Sequence, residues 1–295
     1  MQRISLRACC SIIRPANSIM VGIAVIIGII LTMPQAILSW KAALGFLTGF
    51  FISSFSMIVN DIYDVEVDRI NQLKRPLVTG LLSISQAWVY AMMMLTFGIA
   101  FSLLTSFTCF VIAALFGFIS WLYSHNLKKH GIVGNLTVAL STSIPYVYGN
   151  IVSSAVVPTI QANILQTPST LVFWFATVSF LAVTGREVIK TILDTKGDEI
   201  RGVNSVSRAL GNQKTSMIGA AFFVSAVTCT FIPYVLRQTG NVYLAMILVP
   251  DTLFISLSYS IIRDYSNKNV RRVKRLALVG MLLGFVAFIE EKVVI

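Results

Sequence analysis

The sequence predicts an all-α fold of the polytopic membrane class, a single transmembrane domain over residues 1–295 made of about nine spanning helices. Three observations predict it. First, 56% of the residues are hydrophobic and only 12% are charged, with a mean hydropathy of +0.81. A water-soluble domain has no interior large enough to hide that much apolar surface. Second, apolar stretches recur along the whole chain, each long enough for the roughly 20 helical residues that cross a hydrocarbon core. Third, Lys and Arg collect in alternate connections, as in membrane proteins that keep their cations on the cytoplasmic side.

Taken in order, the spans fall at about 16–33, 42–63, 85–105, 107–126, 133–151, 169–193, 215–236, 241–262 and 273–290. The first follows Arg3, Arg7 and Arg14 and carries the apolar run Ile19 to Leu31. It lacks a small-residue cleavage site and further spans follow, so it reads as an uncleaved helix rather than a signal peptide. The second, apolar from Ala42 to Val59, closes on an acidic stretch. The third and fourth are separated by a short break. The fifth follows a loop with Lys128 and Lys129, of which Lys129 reads as a topology anchor. The uncharged segment 152–168 reads as an outer loop or a short interfacial piece. The sixth closes on a second acidic stretch, the seventh and eighth flank Arg237, and the ninth follows the basic run from Arg263 to Arg275. With the N-terminus inside, the inner connections hold 20 of the 23 Lys and Arg, and the outer ones only Lys41, Arg237 and Lys292. This split predicts an odd number of spans in the cell membrane, with the N-terminus and both acidic stretches cytoplasmic.

Composition also excludes classes. The net charge of +11 would suggest nucleic acid in a soluble protein. Here the positive-inside distribution accounts for it, and no nucleic-acid partner is expected. Cys9, Cys10, Cys109 and Cys229 have no framework spacing and read as apolar fillers or free thiols. His125 and His130 have no ligand-spaced partners and read as structural or interfacial.

The chemistry concentrates in SMIVNDIYDVEVDRINQLKRPLVTG, residues 56–80. On a helix, Asn60, Asp64 and Asp68 stand at i, i+4 and i+8, and Asp61 joins Asp64 and Asp68 on nearly the same face. Like charges at that spacing repel unless a cation sits among them. Oxygen-only ligands suit a hard ion such as Mg²⁺, which completes its shell with water and substrate phosphate. Arg69, Lys74 and Arg75 follow at once, so carboxylates for a metal stand beside cations for phosphate oxygens, the composition of a diphosphate site. The other reading is a solvated helix end where a span leaves the bilayer. A second stretch, REVIKTILDTKGDEIRG at 186–202, repeats the pattern with Asp194 and Asp198 at i, i+4 and the stripe Arg186, Lys190, Asp194, Asp198. Two acidic patches after equivalent spans suggest an internal repeat, 1–130 and 131–295, facing one cavity. An ionisable side chain facing lipid costs about 2.5–3.5 kcal/mol on insertion scales, so these acids are expected to face a shared aqueous interior.

These residues resemble the UbiA family of intramembrane prenyltransferases. NDIYDVEVD at 60–68 fits the family's NDxxDxxxD signature and DTKGD at 194–198 its DxxxD motif. IRPAN at 13–17, YSHNLK at 123–128 and RINQLKRPLVTG at 69–80 extend the likeness over nearly the whole chain. Within the family, the residues look most like the archaeal branch that acts on geranylgeranylglyceryl phosphate. The resemblance implies helices around a central cavity that opens to the cytoplasm and laterally to the bilayer. It implies a prenyl diphosphate donor, geranylgeranyl diphosphate, bound through Mg²⁺, with two ions bridged by the diphosphate, and a lipid-like acceptor. Position by position, Asn60, Asp61, Asp64, Asp68, Asp194 and Asp198 become metal ligands. Lys128 and Tyr123 of the YxxxxK element, with Arg69 and Lys190, become diphosphate ligands. Arg14 and Asn17 of the RPxN element become acceptor ligands, Arg14 having a topology anchor as its other reading. Asp64, Asp198 and Lys128 are the residues on which turnover is expected to depend. The chain departs from several relatives in carrying Thr191 and Leu193 where they have further acids, which leaves the second metal with fewer protein ligands.

An aromatic acceptor for quinone or haem synthesis is the alternative within the family. The CDP-alcohol phosphotransferases need a DGxxAR run that is not in this sequence. An ion-coupled transporter is expected to hold its acids near the bilayer midplane, not at helix ends ringed by Lys and Arg.

Overall fold

The computed structural model describes residues 6–70, 72–156, 170–200 and 202–293. In chain order the helices are α1 (Leu6–Ile12), α2 (Pro15–Thr32), α3 (Trp40–Ile70), α4 (Ile84–Thr105), α5 (Phe107–His125), α6 (Gly131–Val156), α7 (Thr170–Ile200), α8 (Val206–Thr230), α9 (Ile232–Val235), α10 (Asn241–Arg263) and α11 (Asn267–Val293). Among the described residues nine of these have 18 residues or more, and no strand occurs. Seven are long and apolar enough to cross a membrane; α6 and α11 are long but are not among the seven.

Two expected spans end too early. The helices α3 and α7 run 31 residues each, about 46 Å at 1.5 Å per residue, well beyond a ~30 Å hydrocarbon core. Both acidic stretches are therefore the projecting last turns of long helices, not connections that follow shorter spans. Similarly, α6 continues to Val156 through the start of the expected 152–168 loop, and residues 157–169 lie outside the described residues. The helix expected from 215 begins at Val206 and bends at Gly211 (φ 79°, ψ 163°).

The chain forms two compact units. The first comprises residues 1–29, 35–126 and 148–166 and contains α1, most of α2, and α3 to α5. Apolar burial drives no helix pairing inside lipid, so close packing does it instead, and small side chains line the contacts. The buried stripe of α4 is Ala87, Ala91, Met94, Gly98, Ser102 and Thr105. That of α5 is Cys109, Ala113, Gly117, Ser120 and Ser124. Each is spaced by three or four residues, one helix face. A cluster of Ile12, Phe55, Ile58, Val59, Leu77 and Leu82 closes the end of this unit that carries the acidic turns of α3. The Ser83–Gln86 capping box starts α4 immediately after.

The second unit comprises residues 30–34, 127–147 and 167–295. Its core gathers Ile189, Ile192, Phe223, Phe254, Ile261, Val270 and Val273 from α7, α8, α10 and α11. Gly185 and Gly219 let α7 and α8 approach so closely that a Cβ on Gly185 would stand 2.8 Å from the Gly219 carbonyl oxygen. Asp251, buried in α10, meets the Thr230 hydroxyl of α8 at 2.8 Å, and Tyr243 donates to the Thr230 carbonyl at 2.7 Å. The four cysteines are free thiols.

Candidate active site

The projecting turns of α3 bring its polar residues together in two groups. Asn60 donates through Nδ2 to Asp64 Oδ2 at 3.0 Å, as the i, i+4 spacing requires. Asp61 and Asp68 point elsewhere. Both are buried, 3% exposed, and both are engaged by arginines. Arg14 and Arg75 share Asp61 Oδ1, Arg75 at 2.9 Å, and Arg75 also reaches Asp68 Oδ2 at 2.5 Å. The result is a chain of four charges, Arg14–Asp61–Arg75–Asp68. It ties the α1–α2 junction and the segment after α3 to the acidic face of α3. Arg14 holds a left-handed backbone (φ 46°), a conformation that costs a non-glycine residue about 1–2 kcal/mol. Its ion pair and the start of α2 at Pro15 hold it there. Arg14 and Arg75 keep 31% and 26% of their side chains exposed, so each retains donors for an anion.

Around this group, Arg69 pairs with Glu66 at 3.1 Å, both exposed, and Asn17 is exposed in the first turn of α2. Tyr123 is half-buried on α5. His125 stacks on Trp121 and meets the Tyr63 ring edge-on, with centroids 5.3 and 5.6 Å apart, a packing role.

In the second unit Asp194 is exposed and Asp198 buried on the last turns of α7. Two turns before Asp194, buried Glu187 accepts from Arg186 and from Lys190 Nζ, the latter at 3.1 Å. Thr191 accepts at its carbonyl from the Ser207 hydroxyl at 2.8 Å. Lys128 is half-buried in the short 3₁₀ turn Leu127–Lys129. That turn is docked on the segment just past α7: Asn204 N donates to the Lys129 carbonyl at 3.3 Å. Gly131, with φ 43°, lies too close to the Asn204 carbonyl for any Cβ. The fold thus seats the Lys128 turn beside the chain that leaves Asp198.

The oxygen donors fit a hard divalent ion that takes most of its shell from water and phosphate. Asn60 and Asp64 face together, Asp194 is exposed, and Asp61 and Asp68 are held by Arg14 and Arg75. Among the described residues no three acids, histidines or cysteines gather as a metal site. Sequence reasoning missed the central role of Arg75: it sits in a loop, where no periodicity points to its partners. It also left Glu187, within the second acidic stretch, without a role. Its i+3 spacing to Lys190 was the available signal.

Comparison with known proteins adds the family. The pattern of the UbiA prenyltransferase family matches residues 21–286. Digeranylgeranylglyceryl phosphate synthase of Archaeoglobus fulgidus is 32% identical over 287 residues, covering 96% of this chain and 94% of that protein. A solved structure of digeranylgeranylglyceryl phosphate synthase superposes with a TM-score of 0.84 at 26% identity, covering 98% of this chain and 99% of the other. A UbiA homologue from Archaeoglobus fulgidus bound to GPP and Mg²⁺ shares the fold, with a TM-score of 0.65 at 18% identity and coverage of 95% and 99%.

Proposed function

The chain belongs to the UbiA prenyltransferase family and is a multi-pass membrane prenyltransferase. From that premise we propose that it transfers a geranylgeranyl group from geranylgeranyl diphosphate to geranylgeranylglyceryl phosphate, a step of archaeal ether-lipid synthesis. Support for the donor and acceptor comes from the near-full-length likeness to synthases of that product. Support for Mg²⁺ comes from the homologue that holds it with GPP and from the oxygen-only donors here.

The observation that carries the site is the division of labour on α3: Asp61 and Asp68 hold arginines, while Asn60 and Asp64 face each other. In this reading Asn60 and Asp64 on α3, and Asp194 and Asp198 on α7, would hold Mg²⁺. The metal supplies neutralisation of the leaving diphosphate, without which the allylic carbon–oxygen bond does not ionise. Lys128, Lys190, Arg69 and Tyr123 bind diphosphate oxygens. As that bond breaks, its electron pair leaves with the diphosphate. The acceptor hydroxyl oxygen then bonds to the allylic carbon and gives up its proton to the departing diphosphate. Arg14 and Asn17 take the acceptor, Arg14 through the guanidinium donors not aimed at Asp61. A guanidinium engages a phosphate in two parallel bonds, which orients the acceptor as well as holding it. The uneven Lys and Arg distribution supports an orientation with both acidic helix ends cytoplasmic.

The deciding experiment incubates purified protein with geranylgeranyl diphosphate, Mg²⁺ and a panel of acceptors, read by mass spectrometry. A digeranylgeranylglyceryl phosphate product that EDTA abolishes is expected. Prenylation of 4-hydroxybenzoate or a naphthoate without the glycerol ether would move the assignment to an aromatic acceptor.

A further inference from the structure

The largest group of cations in the chain follows both acidic stretches in the sequence. Arg263, Lys268, Arg271, Arg272, Lys274 and Arg275 crowd the α10–α11 turn and the first turns of α11. Lys268, Arg271, Arg272 and Arg275 follow one another at i, i+3, i+4 and i+7, one face of the helix, and all four are exposed. Among the described residues none of these four has an ion pair or a hydrogen bond from its side chain. Arg14, Arg69, Arg75, Arg186, Lys190 and Arg208, by contrast, each have an acceptor. Asp264, in the same turn, accepts from Ser266 N at 2.8 Å. That contact, the largest of its influences, holds the carboxyl below its ordinary range.

The stripe is rigidly aimed. On the opposite face Val270, Val273 and Ala277 are buried in the core of their unit. Asn269 ties the turn to α10, donating to the carbonyls of Asp264 at 2.6 Å and Ser260 at 3.1 Å and accepting from the Ser260 hydroxyl. Further along the same exposed face the residues become Leu278, Val279, Leu282 and Val286, between 44% and 61% exposed. From Arg275 to Val286 is about 16 Å along the axis, close to half of a ~30 Å hydrocarbon core. One helix face therefore presents cations at headgroup level and then an apolar track one leaflet deep.

We propose that this face is a binding surface for an anionic membrane lipid, whose headgroup phosphate sits on Arg271, Arg272 and Arg275 and whose chain lies along Leu278, Leu282 and Val286. An acidic soluble partner would match the cations but not the apolar continuation, and a free phosphate would use only the first.

The test is native mass spectrometry of purified protein in neutral detergent, titrated with phosphatidylglycerol, phosphatidylcholine or inorganic phosphate. Phosphatidylglycerol is expected to bind more tightly than phosphatidylcholine, with a Kd that rises with salt. The triple variant Arg271→Gln, Arg272→Gln, Arg275→Gln should bind about a hundredfold more weakly, at about fivefold per interfacial cation. The corresponding triple Lys variant should retain most of the affinity. If the triple Gln variant does not purify, Arg272→Gln alone should weaken binding about fivefold by the same arithmetic. Equal binding of the two lipids, unchanged affinity in the Gln variants, or inorganic phosphate displacing phosphatidylglycerol would overturn the proposal.

Discussion

At the end of α3 the Asp68 carbonyl accepts from Leu73 N at 2.9 Å, and Gln72 before the donor is left-handed at φ 53°. At the end of α7 the Asp198 carbonyl accepts from Val203 N at 2.8 Å, and Gly202 before the donor is left-handed at φ 64°. Both acidic helices thus stop through the same six-to-one bond with a left-handed residue beside it, at the same offset from the last Asp. Their side chains are held in opposite ways. Asp61 and Asp68 of α3 are engaged by Arg14 and Arg75 from outside the helix, whereas on α7 Glu187 finds its partners one and three residues away and Asp194 is exposed. Equivalent backbone and spacing therefore do not make equivalent acids. Partners brought by other segments decide which carboxylates are open to a metal.

The largest effects should come where the two ends are taken to agree. Asp64→Ala or Asp198→Ala should lower turnover about 10²–10³-fold or more, since each removes electrostatic stabilisation of the departing charge. Folding, followed by circular dichroism, should be preserved, and chelation of divalent ions should reproduce the loss. Full activity in either variant would break the comparison at its base.

The next effect should separate the ends. Arg75→Met removes the cation from buried Asp68, and stranding a buried partner costs about 3–5 kcal/mol, read as a lowered midpoint of thermal unfolding. Glu187→Gln keeps an amide oxygen as acceptor, and Lys190, 41% exposed, keeps access to water, so its cost should be smaller, about 1–2 kcal/mol. Equal losses would mean that the buried chain of charges is no more important than the local pairs.

Arg14→Ala tests whether a residue of the charge chain also binds substrate. Loss of a charge-assisted contact costs about 1.5–3 kcal/mol, so the acceptor KM should rise about 10- to 150-fold with less change in the donor KM. Arg14→Lys should restore part of the loss. A variant that weakens the donor and spares the acceptor would assign Arg14 to the diphosphate instead.

The smallest effects sharpen the backbone likeness. Gly202→Ala should destabilise by about 1–2 kcal/mol, the cost of a side chain in the left-handed region. Gln72→Gly should stabilise slightly, by about 0.5 kcal/mol, because relief of that cost is partly offset by a looser unfolded chain. Denaturant unfolding of both variants reads the pair. The same sign in both would show that the two stops are not alike.

Much of this molecule is legible in its sequence. The nine long helices among the described residues, the acidic face of α3 with Asn60 four residues before Asp64, and the matching pair Asp194 and Asp198 on α7 all follow from hydrophobic run length and helical period, which are local properties of the chain. Run length also misled: apolarity ends near residue 63, but the helix continues to Ile70, because charged residues form helix readily once outside the hydrocarbon. What only the tertiary structure decided is which partner each acid takes. Asp61 and Asp64 lie three residues apart on nearly the same face, yet Asp61 meets Arg14 from 47 residues earlier and Arg75 from 14 later, while Asp64 keeps its neighbour Asn60. Likewise, the Lys128 turn lies beside the segment past α7 because Gly131 can approach the Asn204 carbonyl. Such pairings join residues far apart in the chain. The period of one helix sets the direction in which a side chain points but carries no information about which distant segment arrives there.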